Sequence, residues 1–212
     1  LGISGKPDSL DGKTVEPKMA HGLQAMSIGL FLSDDTPTIW RGPMTTQYLQ
    51  QLLTTTHWQN LDYLIIDLPP GTGDMAISFG QHLPNAEVIV VTTPQQAAAQ
   101  VAERAGTMAS MMHQRVVGVV ENMSWLQLPT GEKMEVFGSG GAEQVAGTLS
   151  ARLGYEVKVL GQIPLEEKLR EGGDSGLPIV AAAPEAASAK VLQQISDELS
   201  GRTRGLAGMQ LG

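Results

Sequence analysis

The sequence predicts an α/β fold with a doubly wound, mostly parallel sheet, on three observations. Five short runs rich in Ile and Val are apolar nearly throughout rather than alternating, which suits strands buried on both faces. Helix-length stretches separate them, as βαβ units require. Polar motifs rich in Gly and Pro follow the runs, and open α/β sheets collect ligands at strand carboxyl ends.

Taken in order, residues 1–24 are rich in Gly, Pro, Lys and Asp, show no period and read as a loop or hairpin lead-in. Strands are expected at 26–32, 63–67, 88–92, 116–120 and 157–160. Helices are expected at 44–57, 95–112, 141–153 and 184–199. Residues 201–212 carry Arg202, Arg204 and three glycines beyond Gly201 and read as a frayed tail. Residues 1–200 are expected to belong to one domain.

Composition narrows the function classes. Hydrophobic residues make up 42% of the 212, enough for one sizeable core, and aromatics only 4%, so that core is aliphatic. A net charge of −8 argues against broad attraction to nucleic acid or anionic lipid. No apolar run is long enough to span a bilayer and no basic-then-apolar leader is present, so the expectation is a cytoplasmic protein with no membrane partner. Without cysteine, no disulfide forms and no thiolate of these residues holds zinc or an iron–sulfur cluster.

One segment carries most of the chemistry: Leu61-Asp62-Tyr63-Leu64-Ile65-Ile66-Asp67-Leu68-Pro69-Pro70-Gly71-Thr72-Gly73-Asp74. An apolar run ends in a carboxylate and turns through Pro-Pro-Gly-Thr-Gly. In phosphoryl transfer an Asp at a strand end holds the Mg²⁺ shell. A following glycine lets a backbone amide approach a terminal phosphate, since no Cβ intervenes. A strand followed by a tight Pro/Gly turn is the alternative.

This segment resembles the Walker B and switch II region of the Mrp/ApbC iron–sulfur cluster carrier ATPases, a branch of the MinD/ParA-like deviant-Walker P-loop NTPases. Six more stretches resemble that group in the expected order: Ile39-Trp40-Arg41-Gly42-Pro43-Met44, Val91-Thr92-Thr93-Pro94-Gln95, Val120-Glu121-Asn122-Met123-Ser124, Phe137-Gly138-Ser139-Gly140-Gly141, Leu160-Gly161-Gln162-Ile163-Pro164-Leu165, and Arg170 through Pro178. The resemblance implies a P-loop NTPase sheet and a nucleotide site. Asp67 would hold Mg²⁺ through water, and Pro70, Gly71 and Thr72 would sense the γ-phosphate of ATP. Asn122 would read adenine with its amide, which both donates and accepts, and Pro164 would flank the base. A turn-forming role is the alternative for Asn122. Arg41 would meet a phosphate or a switch carboxylate. The resemblance further implies a homodimer and apo iron–sulfur proteins as clients.

Two departures stand out. A P-loop needs Gly, four spacers, then Gly-Lys-Ser/Thr. The only Gly-Lys-Thr is Gly12-Lys13-Thr14, and Pro7 occupies the place of the first glycine, so it reads as a false match. The opening Leu1-Gly2-Ile3-Ser4-Gly5-Lys6-Pro7 reads as mid-loop, and the expectation is that a P-loop lies upstream in a longer protein. Many relatives also carry Cys-x-x-Cys after Glu-Asn-Met-Ser, which from two subunits would hold a bridging [4Fe–4S] cluster. Here Leu128 stands at the first of those positions, and Trp125 to Glu132 offer no thiolate. His21, His57, His82 and His113 lack metal spacing and are expected at the surface.

Three readings therefore stand open. The first is an ATP-hydrolysing iron–sulfur carrier or assembly factor. The second is a MinD/ParA-like positioning or scaffolding switch without a cluster. The third is that residues 1–212 alone are inactive, with no Mg-ATP binding by calorimetry.

Overall fold

A computed structural model describes residues 1–9, 11–31, 42–68 and 74–201. The chain divides into two compact units, residues 1–82 and 83–212.

In the first unit the lead-in is a hairpin. Strands β1 (Lys18–Ala20) and β2 (Leu23–Ala25) pair antiparallel, with Lys18 opposite Ala25. The strand expected at 26–32 is not formed in its described part. Ile28–Phe31 is a single 3-10 turn instead. Ser27 directs it: its carbonyl accepts the Leu30 N–H at 3.1 Å and its Oγ accepts the Gly29 N–H at 3.2 Å. A serine that bonds the backbone locally competes with strand pairing. Helix α1 (Gly42–Thr54) follows, and it ends three residues before the expected boundary.

The strand expected at 63–67 is likewise not formed. The segment is extended coil, Ile65 is 92% exposed, and Tyr63 and Leu64 are exposed as well. None of the named strands pairs with it. β-forming side chains do not make a strand unless a neighbouring backbone completes the ladder. Helix α2 (Asp74–His82), not foreseen in the sequence, closes the unit.

The second unit contains the parallel sheet. Strand β3 (Glu87–Thr92), helix α3 (Gln96–Met111), strand β4 (Arg115–Glu121), helix α4 (Gly141–Leu153) and strand β7 (Val159–Gln162) build it in the order β3-β4-β7. Between β4 and α4 lies a two-stranded hairpin, β5 (Leu126–Gln127) with β6 (Lys133–Met134). Helices α5 (Glu167–Ser175), α6 (Ile179–Ala182) and α7 (Ala187–Ser200) follow β7. The expected helix over 141–153 is met at both ends.

Strand β4 is the centre. It has a parallel neighbour on each side, and every residue from Val116 to Glu121 is buried. On one face Val90, Val116, Val119 and Val157 meet Ala99, Ala102 and Ala109 of α3 and Val145, Ala146 and Leu149 of α4. On the other, Val120, Leu160 and Ile163 meet Ile195 of α7, with Val191, Leu192 and Leu199 beside them. Helices on both faces make the sheet doubly wound, which is why β4 is apolar from Val116 to Val120, while Ile89 and Val91 of the edge strand β3 stay exposed.

Register is adjusted twice. Val88 pairs Val116 but Ile89 pairs Gly118, so Val117 is an extra residue in β4. Val119 pairs Val159 but Val120 pairs Gly161, so Leu160 is extra in β7. A bulge of this kind puts two residues opposite one. Val116 and Val119 consequently share a core face although they are three apart.

Candidate functional site at the carboxyl ends of the strands

The carboxyl ends of β4 and β7 lie side by side and continue together past the sheet. Asn122 N–H donates to Thr92 O at 2.8 Å, extending the β3–β4 ladder by one residue. Ile163 N–H donates to Glu121 O at 2.7 Å, Ser124 N–H to Ile163 O at 3.0 Å, and Leu165 N–H to Trp125 O at 2.7 Å. The segments 121–125 and 162–165 are thus laced together, which brings the expected base contacts Asn122 and Pro164 onto adjacent strand-end turns. Met123 turns the chain with φ 57°, and its N–H donates to Asn122 Oδ1 at 2.9 Å. Asn122 is half-buried while Pro164 is buried. Asn122 therefore also serves the turn, the role weighed against base recognition.

The Glu121 side chain, not foreseen as important, is 1% exposed. Its Oε2 accepts the Ala142 N–H at 2.8 Å and its Oε1 accepts Gln162 Nε2 at 3.2 Å. A carboxylate at a helix N-terminus is stabilised by the unpaired amides and the helix dipole. The signal in the sequence is an acid directly after an apolar run, which there counts only as part of a motif.

The Gly140-Gly141 pair explains how α4 reaches this carboxylate. Gly140 adopts φ 81°, outside the range comfortable for other residues. A Cβ on Gly141 would stand 2.5 Å from Thr93 O and 2.9 Å from Pro94 Cα. The helix start therefore presses on the Thr-Thr-Pro turn after β3, and only glycine fits.

Where the resemblance would place a Cys-x-x-Cys pair, the chain forms the β5–β6 hairpin. Leu128 N–H donates to Glu132 O at 2.8 Å, Gly131 N–H donates to Leu128 O at 2.9 Å, and Lys133 Nζ lies 3.7 Å from the Trp125 ring centroid. Leu128 closes a turn here and offers no ligand. Among the described residues no group of three His, Cys, Asp or Glu side chains could hold a metal. A thiolate-held cluster does not fit these residues. All four histidines are exposed, as expected, and His57 Nδ1 contacts Glu16 Oε1 at 2.9 Å.

In the first unit Asp67 is exposed at the end of the extended segment. Trp40, Arg41, Pro70, Gly71 and Thr72 lie outside the described residues, as does the tail beyond Gly201. Gly12-Lys13-Thr14 is engaged internally: Asp11 Oδ1 accepts the N–H of Lys13 at 2.8 Å and of Thr14 at 2.6 Å. The Thr14 N–H, then that of Lys13, hold the Asp11 carboxyl below its ordinary value. These amides face a carboxylate of their own loop, which supports reading the triplet as a false match.

A three-stranded parallel sheet with helices on both faces, and the motifs Thr92-Thr93-Pro94, Glu121-Asn122-Met123-Ser124 and Gln162-Ile163-Pro164 at its strand ends, define a doubly wound α/β domain. The family model described as ParA, NUBPL iron-transfer P-loop NTPase, matches residues 1–200. The chain belongs to that family. It is 52% identical over 212 residues to the iron-sulfur cluster carrier protein of Mycobacterium tuberculosis, covering all of this chain and 55% of the relative. It is 40% identical over 196 residues to the iron-sulfur cluster carrier protein of Escherichia coli, covering 92% of this chain and 52% of the relative. The chain thus spans about half the length of these curated relatives. Among solved structures, a nucleotide-binding protein from Archaeoglobus fulgidus in complex with ADP aligns at 32% identity with a TM-score of 0.64, over 81% of this chain and 65% of that one. MinD of Aquifex aeolicus aligns at 19% identity with a TM-score of 0.51, covering 80% and 65%, and shares the fold. No described helix is long and apolar enough to cross a membrane.

Proposed function

We propose that these residues are part of a cytoplasmic, ATP-hydrolysing factor that carries or assembles iron–sulfur clusters, with residues 1–200 belonging to its NTPase domain. The observation that carries this is similarity along the whole chain to iron-sulfur cluster carriers, at 52% identity. The lacing of segments 121–125 and 162–165 supports a base site made by Asn122 and Pro164. Asp67 holds Mg²⁺ through water, Pro70, Gly71 and Thr72 sense the γ-phosphate, and Arg41 meets phosphate or a switch carboxylate. ATP closes a homodimer and hydrolysis reopens it, a nucleotide-driven two-state switch. Apo iron–sulfur proteins are the clients, and no thiolate of residues 1–212 holds the cargo cluster.

The test uses the complete gene product: Mg-ATP hydrolysis, then iron and sulfide analysis after cluster loading, then transfer to an apo acceptor. Hydrolysis with transfer supports the reading; absence of both cluster and transfer sinks the carrier half.

A second reading, an ATP-driven positioning or scaffolding switch without cluster cargo, is favoured by one observation. The cysteine position is occupied by a hydrogen-bonded hairpin closed through Leu128. Hydrolysis without any cluster binding selects it.

A further inference from the structure

Glu121 is a fully buried acid, and none of the roles proposed above uses it. No described Lys, Arg or His forms an ion pair with it. Burying a carboxylate is costly unless hydrogen bonds replace water. Here the replacement is divided between two elements. Oε2 takes the Ala142 N–H of α4, and Oε1 takes one hydrogen of the Gln162 amide. Gln162 gives its other hydrogen to Glu143 Oε1 at 3.0 Å. Two carboxylates flanking one amide require its NH₂ end between them, so the Gln162 side chain has a single satisfactory orientation.

The main chain of Glu121 works in the same direction. Its carbonyl accepts the Ile163 N–H at 2.7 Å and the Ser124 hydroxyl at 3.2 Å. One residue therefore fixes the start of the 122–124 turn and, through Gln162 and Ile163, the approach to Pro164. We infer that Glu121 is a positioning residue for base recognition: its carboxylate, acting through Gln162, sets the spacing of Asn122 and Pro164 and so the preference for adenine over guanine. The inference rests on reading Asn122 and Pro164 as the base contacts.

The experiment measures the affinities of the complete gene product for Mg-ATP and Mg-GTP by calorimetry, with melting temperatures taken without nucleotide. Asn122→Ala should cut the ATP-over-GTP preference about tenfold, the worth of a good hydrogen bond. Glu121→Gln places an amide against donors on both sides and should cut the preference about fivefold. Gln162→Ala, at a half-buried position, should cut it about threefold, with a modest fall in melting temperature because Glu121 Oε1 loses a donor. The triple variant E121Q/Q162E/E143Q reverses every donor and acceptor along this chain of contacts, with the amides now at positions 121 and 143 both donating to the carboxylate now at position 162, so that no two carboxylates face each other. It should return the preference to within about twofold. If E121Q does not fold, Gln162→Ala decides alone. Preference kept in Gln162→Ala and E121Q but lost in Asn122→Ala overturns the positioning role and leaves the base contacts standing. Preference kept in Asn122→Ala removes the base-contact reading, and the positioning role falls with it.

Discussion

Two apolar runs in this chain end in a carboxylate, and they meet opposite fates. Val119-Val120-Glu121 finishes a strand paired on both sides, and Glu121 is buried against α4. Ile65-Ile66-Asp67 finishes an extended segment that no named strand joins, and Asp67 is exposed. Local composition is nearly the same. The difference is the presence of backbone partners, which turn β-propensity into a strand and decide whether the terminal acid serves the fold or stays available to solvent. On this contrast Glu121 serves the fold, while Asp67 is left open to solvent.

The sharpest way to break the contrast is at Asp67. Asp67→Asn should lower the ATP hydrolysis rate of the complete gene product about 100-fold or more, as loss of a metal-shell carboxylate does. Its urea unfolding curve should move by less than about 0.5 kcal/mol, as for an exposed site. A large stability loss with hydrolysis intact would make the two acids alike. Glu121→Ala is the mirror test: urea unfolding should show a loss of about 2–4 kcal/mol, because the Ala142 N–H and the Gln162 amide lose their buried acceptor. Gly141→Ala probes the same junction from the helix side. The Cβ would meet Thr93 O at 2.5 Å, so a loss of about 2 kcal/mol is expected by the same measurement. The smallest effect belongs to Ile65→Thr, which should shift stability by less than about 0.5 kcal/mol in residues 1–212, since Ile65 is 92% exposed. A loss above about 1.5 kcal/mol would mean that Ile65 is buried in solution.

The same contrast explains what could be read from sequence. Strands β3, β4 and β7 were legible as short apolar runs, and helices α3, α4 and α7 as the helix-length stretches that follow them. The expected strands at 26–32 and 63–67 failed because pairing is a property of neighbours, and in the first case Ser27 diverts the chain locally. Helix α5 was missed because Gly172 and Gly173 lie inside it, and glycine weakens helical propensity. Yet a Cβ on Gly172 would stand 2.5 Å from Leu177 O, so close packing chose that residue. Within the candidate site, Asn122 and Pro164 could be picked from motif order, and the fold brings their turns together. Glu121 could not be given its task, because its partners Ala142 and Gln162 are 21 and 41 positions away.

The two bulges carry a consequence for how the chain can vary in length. Removing one residue from the middle of β4 would exchange the inward and outward sets of everything beyond the cut. At Val117 or Leu160 the chain already holds one residue more than its neighbour requires. Single-residue insertions and deletions among natural variants of this sheet should therefore gather at those two positions, leaving the facing of Val119, Val120 and Glu121 intact.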